Sequence, residues 1–136
     1  MKSKIQKGIG RLVVVHPELT VDPANMKGEI GRVLAFNNSA DISVQFPNGT
    51  VGRYQPDALL TLKSPVDILA TLKRSLEQLC LHQQKSVLEI ARLVLNGEPI
   101  KALESTGGRE LFLYYCTMSF QQWIEAKQKS SNSLKL

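Results

Sequence analysis

His16 stands where a run of valines meets Pro17 and Glu18. An imidazole there can serve as a general base, provided another part of the chain supplies the nucleophile. A surface histidine at a turn accounts for the same residue more simply. His82 follows Cys80 at a spacing that matches no zinc motif, and Cys116 has neither a second cysteine nor a histidine at a ligand spacing. No metal and no disulfide are therefore expected, and both thiols read as small buried hydrophobes within apolar helical patterns. The chain carries no Gly-x-Ser-x-Gly elbow, phosphate loop, dinucleotide fingerprint or His-Glu-x-x-His helix. A protein without catalytic activity and without a cofactor is the expectation.

Residues suited to binding are more numerous. Lys27, Arg32, Arg53 and Tyr54 combine guanidinium and ammonium groups that pair with phosphate and a ring that stacks on a base. They are the candidate binding residues, and RNA or DNA is one class of ligand they suit. Phe36, Phe46 and Tyr54, with Asp41, have the composition of an aromatic cage for a methylated lysine. Phe46 shares the parity of Ile42 and Val44, which assigns it to a core and leaves Tyr54 as the exposed member. Gly-Arg recurs at Gly10-Arg11, Gly31-Arg32 and Gly52-Arg53 at equal intervals, but the apolar residues after the third copy do not match a repeat. Gly107-Gly108 before Arg109 reads as a joint between helices rather than an anion seat.

The elements that must position these groups follow from pattern. Residues 11–62 are rich in β-branched residues and broken by Gly, Pro and Asn, which predicts strands near 11–16, 29–36, 41–46, 51–54 and 58–62. Ile42, Val44 and Phe46 alternate with polar neighbours, so one face of that strand meets a core. Asn48-Gly49 supplies the positive φ angles of a tight hairpin turn. The long connection from His16 to Gly28 contains two prolines, and loops of that length often form the lip of a binding surface.

At Ser64-Pro65-Val66-Asp67 the pattern turns helical, with Ser placed as N-cap and Pro at the first helical position. Val66, Leu69, Leu72, Leu76, Leu79, Ile90 and Val94 then follow at helical spacing to Asn96-Gly97. The spacing predicts one continuous or kinked helix over 66–96, with 82–86 as the polar stretch where it would break. Such a helix is about 45 Å long at 1.5 Å per residue, more than a small sheet covers. A short helical turn over 99–104 and a last helix over 109–127 complete the chain. Phe112, Tyr115, Phe120 and Trp123 make that last helix apolar over a wide arc, and they are the candidate interface residues for a protein partner or self-association through the helices.

The stretch Gly28-Glu-Ile-Gly31-Arg-Val33, followed by Ile42-Ser-Val44-Gln-Phe46, Asn48-Gly49, Tyr54 and Leu59-Leu60, resembles small barrels of the Src-homology-3-like (SH3-like) type. The nearest pattern is that of KOW, Tudor and Mib/Herc modules, and it covers roughly the first half of the chain. The resemblance implies a partly open, strongly bent sheet. Known members of this architecture bind peptides, modified lysines, RNA or DNA, or serve in assembly, so it does not name a ligand.

The chain has 136 residues, 43% of them hydrophobic and 21% charged, which suits one globular unit or two small ones with a real core. The net charge of +5 is spread over both halves rather than gathered into one patch, which supports only weak attraction to polyanions. No stretch has the continuous apolar character of a secretory leader or a membrane span, so a cytoplasmic protein with no membrane partner is expected. The expected fold is α+β: a five-stranded antiparallel SH3-like barrel over 1–63, a helical hairpin or small bundle over 64–128, and a disordered polar tail over 129–136. The expected function is that of a non-catalytic interaction or assembly module binding a protein partner, with nucleic-acid binding through the basic face of the barrel as the alternative.

Overall fold

The computed structural model describes residues 8–22 and 24–134, with side chains to residue 128. Residues 1–7, read above for a leader, and the last two residues of the expected tail lie outside the described residues. The chain is α+β. Strands β1 (Leu12–Val15), β2 (Ile30–Asn38), β3 (Asp41–Gln45), β4 (Val51–Tyr54) and β5 (Leu59–Leu62) come first, with a 3-10 turn at Pro56–Ala58. Helices α1 (Pro65–Arg74), α2 (Leu81–Leu95), α3 (Pro99–Thr106) and α4 (Glu110–Cys116) follow. A short strand β6 (Thr117–Ser119) then precedes α5 (Phe120–Leu134). Among the described residues no helix is long and apolar enough to cross a membrane.

The expected five-stranded barrel is not what forms. Among the described residues six strands make an open antiparallel sheet in the order β4-β3-β2-β1-β5-β6, with β4 at one edge. The chain forms two compact units: the described residues up to Thr61 together with those from Ser119 onward, and Leu62–Met118. The last helix thus belongs with the strands.

In the sheet unit the alternation seen in sequence sets the inward face. Val33 pairs with Val44 and Ile42 with Tyr54, so these four point to the same side as Val13, Val15, Phe46 and Leu59. Strand-to-strand closure would ordinarily cover such a face. Here the long loop covers it with Leu19, Ala24 and Met26, and α5 covers it with Phe120, Trp123 and Ile124. Phe120 is fully buried, 5.5 Å from the Trp123 ring in a stacked pair and 6.0 Å from Phe36. The Arg11 guanidinium lies 4.3 Å over the Trp123 ring and its Nε donates to Thr61 Oγ1 at 2.8 Å, which ties α5 to β1 and β5.

The regular Gly-Arg spacing has a packing cause at two of its three positions. A Cβ at Gly31 would come within 2.7 Å of Val44 Cγ1, and one at Gly52 within 2.7 Å of the Tyr54 ring. Only glycine lets the strands and the ring approach this closely.

In the helical unit, Ser64 caps α1 by accepting the Asp67 N–H at 3.1 Å, as its position predicts. The single helix expected over 66–96 is instead two helices. The break falls at Ser75–Cys80 around a 3-10 turn, Leu76–Gln78, and residues 82–86 lie inside α2. Gln84 stabilises the break by donating to the Leu76 and Leu79 carbonyls at 3.0 and 3.1 Å. The buried face of α1 is Ile68, Thr71 and Leu72, whereas Val66 and Leu69 face solvent. The helix expected over 109–127 is likewise divided. Thr117 turns its hydroxyl onto the Leu113 carbonyl at 2.6 Å, β6 follows, and Ser119 accepts the Gln122 N–H at 3.1 Å to start α5. The backbone of α5 then continues through 129–134, where a tail is expected from the sequence.

Candidate binding cleft

The loop between β1 and β2 is fixed at both ends and in the middle. Its first residue, His16, donates its main-chain N–H to the Ala58 carbonyl at 2.9 Å, and Leu19 N–H returns to the His16 carbonyl at 3.1 Å. At the far end Gly28 N–H donates to Val15 at 2.8 Å. Asp22 holds the centre. One carboxylate oxygen accepts the Met26 N–H at 2.8 Å and the other accepts the Tyr54 hydroxyl at 2.9 Å. A carboxylate that accepts two bonds at once is a strong local organiser, since bonds to a charged group outweigh neutral ones. Burial, reinforced by the Asp22 carboxylate, pushes the Tyr54 phenol well above its usual range, so it stays a donor through neutral pH.

This loop and the turn from β4 to β5 enclose a cleft of about 680 Å³. His16, Glu18, Thr20 and Val21 line it from the loop, and Arg53, Tyr54, Gln55 and Asp57 from the strand and turn. Val21 is 75% exposed, an apolar side chain presented to solvent at the lip. Glu18 and Asp57 are exposed carboxylates. The cation among the lining groups, Arg53, is already matched: its Nε and Nη2 bond the two oxygens of Asp41. The guanidinium holds the Asp41 carboxyl below the usual carboxylate range. Among the described residues the cleft therefore carries negative charge without an ion-pair partner beside an apolar contact.

The four candidate binding residues are not brought together. Arg32 pairs in register with Gln45, and Arg53 with Ser43, so both guanidinium groups leave the solvent face of the sheet on strands flanking β3. Arg32 donates to the Gly10 carbonyl at 3.0 Å. Lys27 is exposed in the turn before β2. Tyr54 is on the opposite face, 6% exposed, because its partner Ile42 points inward. The expectation of an exposed Tyr54 is corrected accordingly. The aromatic cage is absent for the same reason: Phe46 and Tyr54 meet edge-on inside the core at 6.4 Å, Phe36 packs on Phe120, and Asp41 is taken by Arg53.

The four candidate interface residues are also turned inward. Phe112 and Tyr115 are buried in the helical unit, Phe120 is buried in the sheet unit, and Trp123 is half-buried against it. Their apolar arc is consumed by two separate cores because the helix that would have carried all four is divided at Thr117.

The groups with reactive chemistry are scattered. His16 accepts the Glu18 N–H through Nδ1 at 3.2 Å, which places the ring proton of the neutral form on Nε2. No hydroxyl or thiol bonds that imidazole among the described residues. Cys80 is exposed, against expectation, because it precedes the first turn of α2 and gives its N–H to Gln83 Oε1 at 3.0 Å. Cys116 is buried, and burial pushes its thiol up to about 12. Among the described residues no three His, Cys, Asp or Glu side chains are grouped to hold a metal ion.

Gln55 and Asp57 are the cleft residues that sequence reasoning overlooks, while Thr20 and Val21 lie in the loop expected to form a lip. The signal available was indirect: a long loop rich in turn residues, whose partner across the cleft lies far along the chain and is set by the pairing of β1 with β5. No protein-family model, no curated protein and no solved structure matches the chain.

Proposed function

We propose that the protein is a non-catalytic interaction module whose sheet unit holds an extended segment of a protein partner in the cleft between the long loop and the β4 to β5 turn. The observation that carries this reading is the cleft itself: a fixed loop, an exposed valine at its lip and two carboxylates with no ion-pair partner among the described residues, arranged beside an edge strand. Phe46 N–H donates to Thr50 at 2.9 Å, which sets the hydrogen-bonded pairs of the hairpin at Val44 with Gly52 and Ile42 with Tyr54. The main-chain groups of Val51 and Arg53 therefore face outward, where an added extended segment finds donors and acceptors. Carboxylates at Glu18 and Asp57 favour a segment with lysine or arginine and disfavour a polyanion. The resemblance of the first half of the sequence to SH3-like modules agrees with this reading, since peptide binders are among them.

The test is capture of partners from native lysate on the immobilised chain, with and without nuclease, beside a Val21→Asp, Asp57→Lys variant. Protein partners that survive nuclease and are lost by the variant support the cleft. Partners released by nuclease, with binding that falls steeply with salt and weakens in Arg53→Glu, would instead support recognition of RNA or DNA by the basic residues.

A further inference from the structure

The second surface is on α2, in the helical unit. The buried side of this helix is Val87, Ile90, Ala91 and Leu93, packed toward α1, α3 and α4. Its outer side repeats leucine at every seventh residue: Leu81, Leu88 and Leu95 are 65%, 47% and 73% exposed. At about 100° per residue these three fall within one narrow stripe, and Lys85 and Arg92 fall directly beside it. A helix that buries its other side well has no folding reason to keep a leucine stripe in water. Successive leucines stand about 10.5 Å apart along the helix, a row of apolar contacts with a charged border that an incoming helix can match.

We infer that this stripe docks an acidic amphipathic helix of a partner protein. A second copy of the chain fits poorly. In a parallel pair Lys85 would meet Lys85 and Arg92 would meet Arg92, and in an antiparallel pair centred on Leu88, Lys85 would meet the Arg92 end of the other helix. Like charges placed against one another in a helical seam oppose pairing, whereas a glutamate on the incoming helix would answer Lys85. Lys85 has no carboxylate partner among the described residues, and Arg92 is bonded to Glu89 on its own helix. Lys85 is therefore the cation left for the partner. This surface is independent of the cleft and belongs to the other unit.

The experiment is fluorescence anisotropy of the full chain with a labelled synthetic helix that carries leucine at every seventh position and glutamate beside each leucine. Saturable binding is expected in the micromolar range. Leu88→Glu should weaken it at least about tenfold, and Lys85→Glu should weaken it in a manner restored by a peptide with lysine in place of glutamate. Val66→Glu, a change on an exposed residue of α1, should leave binding as it was. The inference is overturned by absence of saturation at millimolar peptide or by equal binding in Leu88→Glu. It is equally overturned by a wild-type dimer in sedimentation that Leu88→Glu dissolves, or by anionic phospholipid vesicles that bind the stripe while the peptide does not. Circular dichroism checks the fold of each variant. The charge-swapped peptide decides the matter even where Leu88→Glu is unfolded.

Discussion

Replacing Tyr54 by phenylalanine tests whether the cleft depends on one hydrogen bond. The ring is 6% exposed and meets Phe46 edge-on at 6.4 Å, and phenylalanine keeps that packing. The loss is confined to the bond from the hydroxyl to Asp22, 2.9 Å long. A bond to a charged group contributes about 1.5–3 kcal/mol, and because Asp22 is only half-buried and can take a water in exchange, the lower end applies. About 1.5 kcal/mol corresponds to roughly a tenfold rise in the open population of the loop. Hydrogen exchange reads this directly at the Leu19, Asn25 and Met26 amides, whose acceptors are the His16 carbonyl, the Asp22 carbonyl and the Asp22 carboxylate. Each should exchange about tenfold faster in Tyr54→Phe. Unchanged rates at these amides would refute the tether. So would an equal effect of Tyr54→Phe in a chain that already carries Asp22→Asn, since the two changes would then act independently.

Two further outcomes follow from burial. Phe120→Ala removes a fully buried ring that stacks on Trp123 and contacts Phe36, and should cost the sheet unit about 3–5 kcal/mol in chemical denaturation. A loss below about 1 kcal/mol would mean that α5 is dispensable for that core. For pH, the native Cys116 thiol keeps its proton up to about 12 while an exposed thiol releases it near 9.0, so the native state binds the extra proton between these values. Stability from this group is complete below pH 9.0 and falls as pH rises toward 12, by at most about 1.4 kcal/mol per pH unit. Denaturation midpoints of wild type and Cys116→Ala at neutral and alkaline pH should therefore converge as pH rises. Parallel curves would refute the assignment.

The parts of the fold legible in sequence are those governed by short-range rules. The alternation of Ile42, Val44 and Phe46 places the inward face of β3, the Asn48-Gly49 pair places the hairpin, and Ser64-Pro65 places the start of α1. The loop from His16 to Gly28 was marked by its length and prolines, and its first part lines the cleft. Tertiary contacts decide the rest. Nothing local requires a helix to stop at Ser75, because no glycine or proline stands there. The stop is maintained by Gln84 reaching back to two carbonyls. Thr117-Met118-Ser119 becomes a strand through its place beside β5, which helical periodicity does not register. Pairing with Ile42 across the β3 to β4 hairpin moves Tyr54 inside, and the strand at Thr117–Ser119 separates Phe112 from Phe120. Candidate site residues chosen by type were thus scattered, while Asp57, unremarkable by type, is carried to the cleft by the register of β1 and β5.

The sheet unit is discontinuous along the chain: its strands come first, all of Leu62–Met118 intervenes, and its closing helix comes last. During synthesis strands β1 to β5 emerge from the ribosome well before Phe120, Trp123 and Ile124 exist to cover them. The nascent sheet must wait with Val33, Ile42 and Val44 incompletely shielded while the helical unit is made. In that interval the uncovered sheet is most open to aggregation or to chaperone capture.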